Sequence, residues 1–248
     1  DIIRLFSKDA NINLNDEDIM ELAICFDICT TGEIKAIFNN ASLRYGDNCT
    51  IDDIINIADF LKTGYMNKDD SFKVPRAMAI HEAGHAIYSH IFCKTKRFLR
   101  IYFNDNGGVA VCKESDTIDT KESRINCVRV GLAGLVAEDI ILNNHDIGCG
   151  DDLERVYDLS FRLINRTCIN GIKNYCTKSA YYDRYNMSDF SNERFDKHTI
   201  SFVKANYRIV KRKLKKYKKE IVILADYLQE HKEIKRDEFI KLVGISAA

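Results

Sequence analysis

The stretch VPRAMAIHEAGHAIYSHIF, residues 74 to 92, carries His81, Glu82 and His85 in the order H-E-x-x-H. Pro75 suits the first position of a helix, and the residues after it extend that helix to about Phe92. Residues four apart on a helix stand one turn above each other on the same side. His81 and His85 can therefore aim two imidazoles at one ion, as a tetrahedral zinc site requires. Glu82 lies one residue round, too far off that axis to be a convenient third ligand. It is well placed to take a proton from water that the ion has acidified. The competing reading is an amphipathic helix that carries two histidines by chance. Ala83, Gly84 and Ala86 weigh against it, because small residues let other elements approach and leave room for a substrate. A glycine in mid-helix costs roughly 1 kcal/mol against alanine, so Gly84 asks for a reason.

Upstream, residues 1 to 66 read as short helices joined by capped turns. NLNDEDIMELAICF offers Asn15 or Asp16 as an N-cap, with Ile19, Leu22 and Phe26 on one face. The next helix starts at Thr30 or Thr31, buries Ile34, Ile37, Phe38 and Ala41, and stops at Gly46. Thr50 and Asp53 form a T-x-x-D capping box for a third, which closes at Gly64. YMNKDDSFK is a polar joint and the natural boundary with a second domain, residues 71 to 248.

In that second domain RFLRIYFND and VAVCKE read as two strands joined by a turn at Asn106, Gly107 and Gly108, the one convincing β signal. One long helix is expected from Thr120 to about Asn143, and another from Asp151 to Asn165. The C-terminal third shows Val210, Leu214, Tyr217, Ile221, Leu224 and Leu228 at helical spacing. The expected class is mostly α (α+β): a helical bundle followed by a mainly helical domain with a small sheet.

Bulk properties exclude several functions. Apolar residues make up 46% and charged residues 30% of 248, with Lys+Arg and Asp+Glu both at 37. No net field points to nucleic acid or an anionic membrane, and the basic run RIVKRKLKKYKK carries the apolar stripe of an amphipathic helix. No apolar run approaches the roughly 20 residues that span a bilayer, and there is no secretory leader pattern. A start at Asp1, without Met, is the start expected of an excised fragment. Nine cysteines, at 25, 29, 49, 93, 112, 127, 149, 168 and 176, include no C-x-x-C pair and read as reduced thiols in a reducing compartment.

A catalytic zinc needs a third protein ligand and one open position. Glu138, Asp139, His145, Asp151 and Asp152 are the downstream candidates. The helix DDLERVYDLSFRLIN is expected to bury Leu153, Val156, Leu159 and Leu163. Asp152, four residues before Val156, then faces inward at the helix start, where a carboxylate needs a partner such as a metal ion. Asp151 shares the wet side with Arg155 and Asp158 and reads as a cap. His90, His145, His198 and His231 have no metal spacing.

HEAGHA, GLAGLVAEDI and GCGDDLERV, in that order, resemble the peptidase domain of the FtsH family of ATP-dependent zinc metalloproteases. The family's pattern there is HEAGHA, a GGRAAEE-like helix and a TGAxxD segment. The resemblance implies His81, His85 and Asp152 as zinc ligands and Glu82 as catalytic base. Glu138 falls on the first acid after the family's AA; it is either a group supporting the site or a surface carboxylate. Ala133 stands at the first glycine of GGR and Leu135 at its arginine, which puts local packing in question. GGVAVC matches the family's edge strand beside the active-site helix, so Gly108, Val109, Ala110 and Val111 are expected to bind an extended peptide by main-chain pairing. Residues 1 to 66 resemble the helical lid of an AAA+ ATPase, with TTGEI where the family usually has SGAD. No G-x-x-x-x-G-K is present, so ATP enters only through a core outside this chain. The family further implies polypeptide substrates, a hexamer, and attachment to the cytoplasmic face of a membrane through a segment outside this chain. Two other readings are a stand-alone zinc peptidase without unfoldase and a catalytically silent assembly subunit. The four intact groups argue against the second.

Overall fold

The structure is a computed structural model and describes residues 1–26, 29–63, 73–93, 96–104, 107–114, 120–144, 149–167 and 189–244. Most of the polar joint after Thr63, the turn residue Asn106, His145, Cys168 and Cys176 lie outside the described residues. The chain divides into two compact units, Asp1–Lys73 with Phe103–Gly107, and Val74–Tyr102 with Gly108–Ala248.

The first unit contains α1 (Ile2–Asp9), α2 (Asp16–Cys25), α3 (Thr31–Tyr45) and α4 (Ile51–Thr63). Their starts are fixed by local side chains. Asn15 Oδ1 accepts from the N–H groups of Glu17 and Asp18, both at 2.8 Å. Thr30 and Glu33 form a reciprocal capping box on α3, and Thr50 and Asp53 repeat it on α4. The core of this unit holds Leu22, Ile37, Phe38, Ala41, Ile54 and Ile57. Burial beside Asp53 pushes the Cys49 thiol up to about 11, which keeps it protonated and unreactive.

The second unit is built around α5 (Arg76–Phe92), in which every residue from Glu82 to Ile91 is buried. A helix buried on all sides must be covered from several directions. Here α7 (Ala133–Ile141) and α10 (Lys218–His231) pack on it. The stripe seen in the sequence supplies the cover on the α10 side. Ile221, Leu224 and Leu228 are fully buried, each contributing about 1.5–3 kcal/mol. Val210 and Leu214, at the end of α9 (Asp189–Leu214), continue it, whereas Tyr217 is only half-buried. The basic run thus presents its charges from a helix docked by its apolar side. Two lysines are exceptions: Lys213 lies 4.4 Å over the Phe92 ring, and Lys211 reaches Asp139 at 3.3 Å.

Three strands form one sheet in the order β2-β1-β3, with β1 at Lys96–Asn104, β2 at Gly107–Glu114 and β3 at Glu233–Lys235. β3 was not visible in the sequence, because three residues are too few to show a period of two. It pairs antiparallel with β1, setting Ile101 opposite Ile234, and the Arg100–Glu233 ion pair at 2.8 Å ties the same strands. Phe98 of β1 packs against Phe239 of α11 (Arg236–Val243), the rings tilted with centroids 4.6 Å apart. β2 is therefore an edge of this sheet among the described residues.

Two further expectations are corrected. The long helix from Thr120 to Asn143 is two helices, α6 (Lys121–Gly131) and α7, interrupted at Leu132. The interruption falls where a histidine side chain reaches the Val130 carbonyl, a recognised cause of helix irregularity. In α8 (Gly150–Phe161) Leu153 is 38% exposed rather than buried. The inward face of α8 runs through Asp152, Val156 and Ser160, at spacings of four, and Leu153 lies about 100° round from it. Among the described residues, no helix is long and apolar enough to cross a membrane.

Candidate metal centre

His81 and His85 stand one turn apart on α5, and Asp152 enters from the first turn of α8. His81 Nε2 lies 2.9 Å from Asp152 Oδ2, His85 Nε2 lies 2.9 Å from the same oxygen, and the two Nε2 atoms are 2.9 Å apart. The rings meet edge to face, with centroids 4.7 Å apart.

The outer nitrogens decide what those three atoms can be. His85 Nδ1 is 2.7 Å from the Val130 carbonyl, which has no proton to give, so Nδ1 is the donor. In neutral His85 the lone pair is then on Nε2, turned toward a carboxylate oxygen. His81 Nδ1 meets Glu138 Oε1 at 2.5 Å and donates to it in the same way. Without a cation or a proton, three acceptors face one another at contact distance. A divalent ion resolves the arrangement, and two imidazoles with one carboxylate form a donor set suited to zinc. The Asp152 side chain remains 28% exposed, so the cluster is open toward solvent on one side.

The ionisation of the metal-free cluster follows. Burial alone would lower the His81 pKa, but hydrogen bonds to Asp152 and Glu138, with the charges of Glu82 and Asp152, raise it to about 10. Burial would raise Asp152, yet its contacts with His81 and His85, and their positive charge when protonated, hold it well below the usual carboxylate range. The proton and a metal ion compete for the same place.

Glu82 is buried, and burial raises its pKa against the opposing charges of His85 and His81. Its carboxylate accepts a hydrogen bond from the Ala110 N–H of β2. Of the expected peptide-binding residues, Val109 is exposed, Gly108 and Ala110 are half-buried and Val111 is buried. Glu138 is not a surface carboxylate: it is 1% exposed, inside the α5–α7 contact. Asp151 is exposed and is not the N-cap of α8, which is Cys149, whose side chain makes no cap hydrogen bond. Of the other histidines, His90 is buried against Phe239, His231 stacks on Tyr227, and His198 is exposed. Among the described residues, His81, His85 and Asp152 are the one group of three whose ligand atoms converge for a metal.

Residues 71–242 match peptidase family M41, well over half of the chain. The chain belongs to peptidase family M41. It is 25% identical to the ATP-dependent zinc metalloprotease FtsH of Syntrophus aciditrophicus, across 69% of this chain and 25% of that protein. Identity to the Thermus thermophilus protein of the same name is 24%, across 85% of this chain and 36% of the relative. For FtsH 2 of Petrotoga mobilis it is 23%, across 98% and 42%. The M41 chain thus spans between a quarter and about two fifths of the length of these curated relatives.

The M41 fold also explains a departure from the family pattern. Ala133 keeps its methyl group fully buried, while its carbonyl lies against Gly84: a Cβ built on Gly84 would meet Ala133 O and Ala137 Cβ, each at 2.5 Å. Gly84 is the residue that lets α5 and α7 touch. Sequence reading missed the Val130 carbonyl, which no side-chain pattern reveals.

Proposed function

We propose that this chain is the zinc endopeptidase module of an FtsH-type ATP-dependent protease that hydrolyses peptide bonds of unfolded or membrane-associated polypeptides. The observation that carries the reading is the convergence of His81 Nε2, His85 Nε2 and Asp152 Oδ2 beside a buried carboxylate on the adjoining residue.

His81, His85 and Asp152 would hold the ion. Zinc, when bound, supplies a Lewis acid that polarises a carbonyl and makes water a nucleophile near neutral pH. Glu82 is the general base: it accepts the proton of the attacking water and later delivers it to the leaving amine. A buried carboxylate of raised pKa suits both halves of that transfer. Glu138 and the Val130 carbonyl keep protons on the two Nδ1 atoms, so both Nε2 lone pairs point inward.

Substrate enters as an added strand on β2, through the main-chain groups of Gly108, Val109, Ala110 and Val111. Two facts support this: β2 is an edge of the sheet, and the Ala110 N–H reaches Glu82, so a peptide that takes over this N–H lies beside the base. Residues 1–66 serve as the lid of an AAA+ core outside this chain, which supplies ATP-driven unfolding. The working assembly is a hexamer, held at the cytoplasmic face of a membrane by a segment outside this chain.

Glu82→Gln tests the mechanism. The variant keeps zinc, because the ligand atoms are untouched, and loses nearly all hydrolysis of casein. Casein cleavage at the wild-type rate by zinc-loaded Glu82→Gln would remove Glu82 from the reaction.

A further inference from the structure

His81 is gripped on several sides. Glu138 Oε1 holds Nδ1 at 2.5 Å, Asp152 Oδ2 faces Nε2 at 2.9 Å, and the His85 ring stands edge-on with centroids 4.7 Å away. What lies against the face of the ring is Gly134. A Cβ built on Gly134 would sit 2.4 Å from His81 Nε2 and 2.6 Å from both Cδ2 and Cε1, distances that real Cβ atoms do not adopt.

The glycine is not there for its backbone freedom. It lies within α7, in helical conformation, and only Gly46, Gly107 and Gly244 have positive φ among the described glycines. Glycine inside a helix costs roughly 1 kcal/mol against alanine, and here the empty volume is filled by the imidazole. Gly134 and Glu138 are four residues apart, hence on one face of α7. That face forms a slot for His81, with glycine as its floor and the carboxylate as the stop at Nδ1. The contact with α5 is reciprocal, since Gly84 of α5 receives Ala133 and Ala137 of α7. Resting on the proposed zinc reading for its consequence, but not for its geometry, we infer that Gly134 is a positioning residue, whose missing side chain sets where His81 Nε2 stands.

An added methyl cannot be absorbed by a swing of the ring, because rotation breaks either the Glu138 or the Asp152 contact. Gly134→Ala therefore displaces Nε2 although no ligand is changed. The test uses the whole chain and two readouts that do not depend on peptidase activity. The first is zinc affinity by chelator competition, with the visible spectrum of the cobalt-loaded protein as a report of ligand geometry. Affinity is expected to fall by at least the roughly 10–100-fold typical of residues that orient a ligand, with an altered cobalt spectrum. The second is the melting temperature of metal-free Gly134→Ala, His81→Ala and the double variant. Gly134→Ala lowers the melting temperature when His81 is present and has no further effect when the ring is gone.

Wild-type affinity and spectrum for Gly134→Ala would overturn the inference. So would an equal loss of melting temperature with and without His81, which would assign the glycine to helix packing alone. Should Gly134→Ala fail to fold, a folded double variant supports the inference and an unfolded one overturns it. If none of the proteins, wild type included, binds zinc, the metal reading fails, while the melting data still decide whether Gly134 seats the ring.

Discussion

The carboxylates of the two units do opposite work. In the first, Glu33 and Asp53 are exposed or half-exposed and bind backbone N–H groups three residues away, at 2.7 Å and 2.9 Å, closing capping boxes. In the second, Glu82 and Glu138 are buried, and Glu138 and Asp152 bind a histidine 57 and 71 residues away in sequence. An exposed acid in a capping box contributes to one helix and costs little to replace. A buried acid is stable only with a partner of matching charge or proton, so it constrains two helices and the site between them. The same residue types thus act as local stabilisers or long-range organisers according to the partner they reach, a backbone N–H three residues away or a histidine on another helix.

The contrast sharpens at Glu138. Glu138→Gln keeps the shape of the side chain but exchanges a charged acceptor for a neutral amide against His81 Nδ1. Zinc affinity is expected to fall roughly 10–100-fold, measured by chelator competition, with the protein still folded. Affinity equal to wild type would reduce Glu138 to packing.

Proton competition gives a smaller, graded effect. In the metal-free protein the His81 pKa is raised to about 10, so its proton contributes stability that is fully present below the ordinary histidine range. That stability is lost as pH rises through about 10. Zinc binding near neutral pH must release this proton, so apparent affinity is expected to rise about tenfold per pH unit between pH 7 and 9. A flat profile would mean that His81 is already neutral before the ion arrives.

The smallest effect belongs to the first unit. Thr30→Ala removes the cap that accepts from the Glu33 N–H. The expected cost is about 0.5–2 kcal/mol in denaturant unfolding, with zinc affinity unchanged. A change in zinc binding would break the separation between local and long-range acids.

This separation also governs what could be read in advance. The capping boxes at Thr30 and Thr50 and the i, i+4 histidines are written within four or five residues of sequence, and so is the mostly helical class. Long-range features were harder to see. β3 is three residues long and exists because β1 gives it a partner. Leu153 looked like a core residue by type, but the inward face of α8 passes through Asp152 and Val156. Glu138 stayed open between a group supporting the site and a surface acid, because its partner is on another helix. Gly134 carried no signal beyond its cost inside a helix, since the ring that fills its place lies 53 residues upstream, from 134 to 81.

The central claim is that one ion is held by His81, His85 and Asp152, and adjacent aspartates on α8 offer the sharpest control for it. Asp152 points into the cluster, whereas Asp151 is an exposed second residue of the helix. Zinc content after purification, followed by chelator competition, should be measured for wild type, Asp152→Ala and Asp151→Ala. The account predicts about one zinc per chain in wild type, loss of the ion in Asp152→Ala, and wild-type affinity in Asp151→Ala, which gives up only a charge–dipole contribution of about 0.3–1 kcal/mol. Retention of zinc by Asp152→Ala, or its loss from Asp151→Ala alone, would contradict the ligand set.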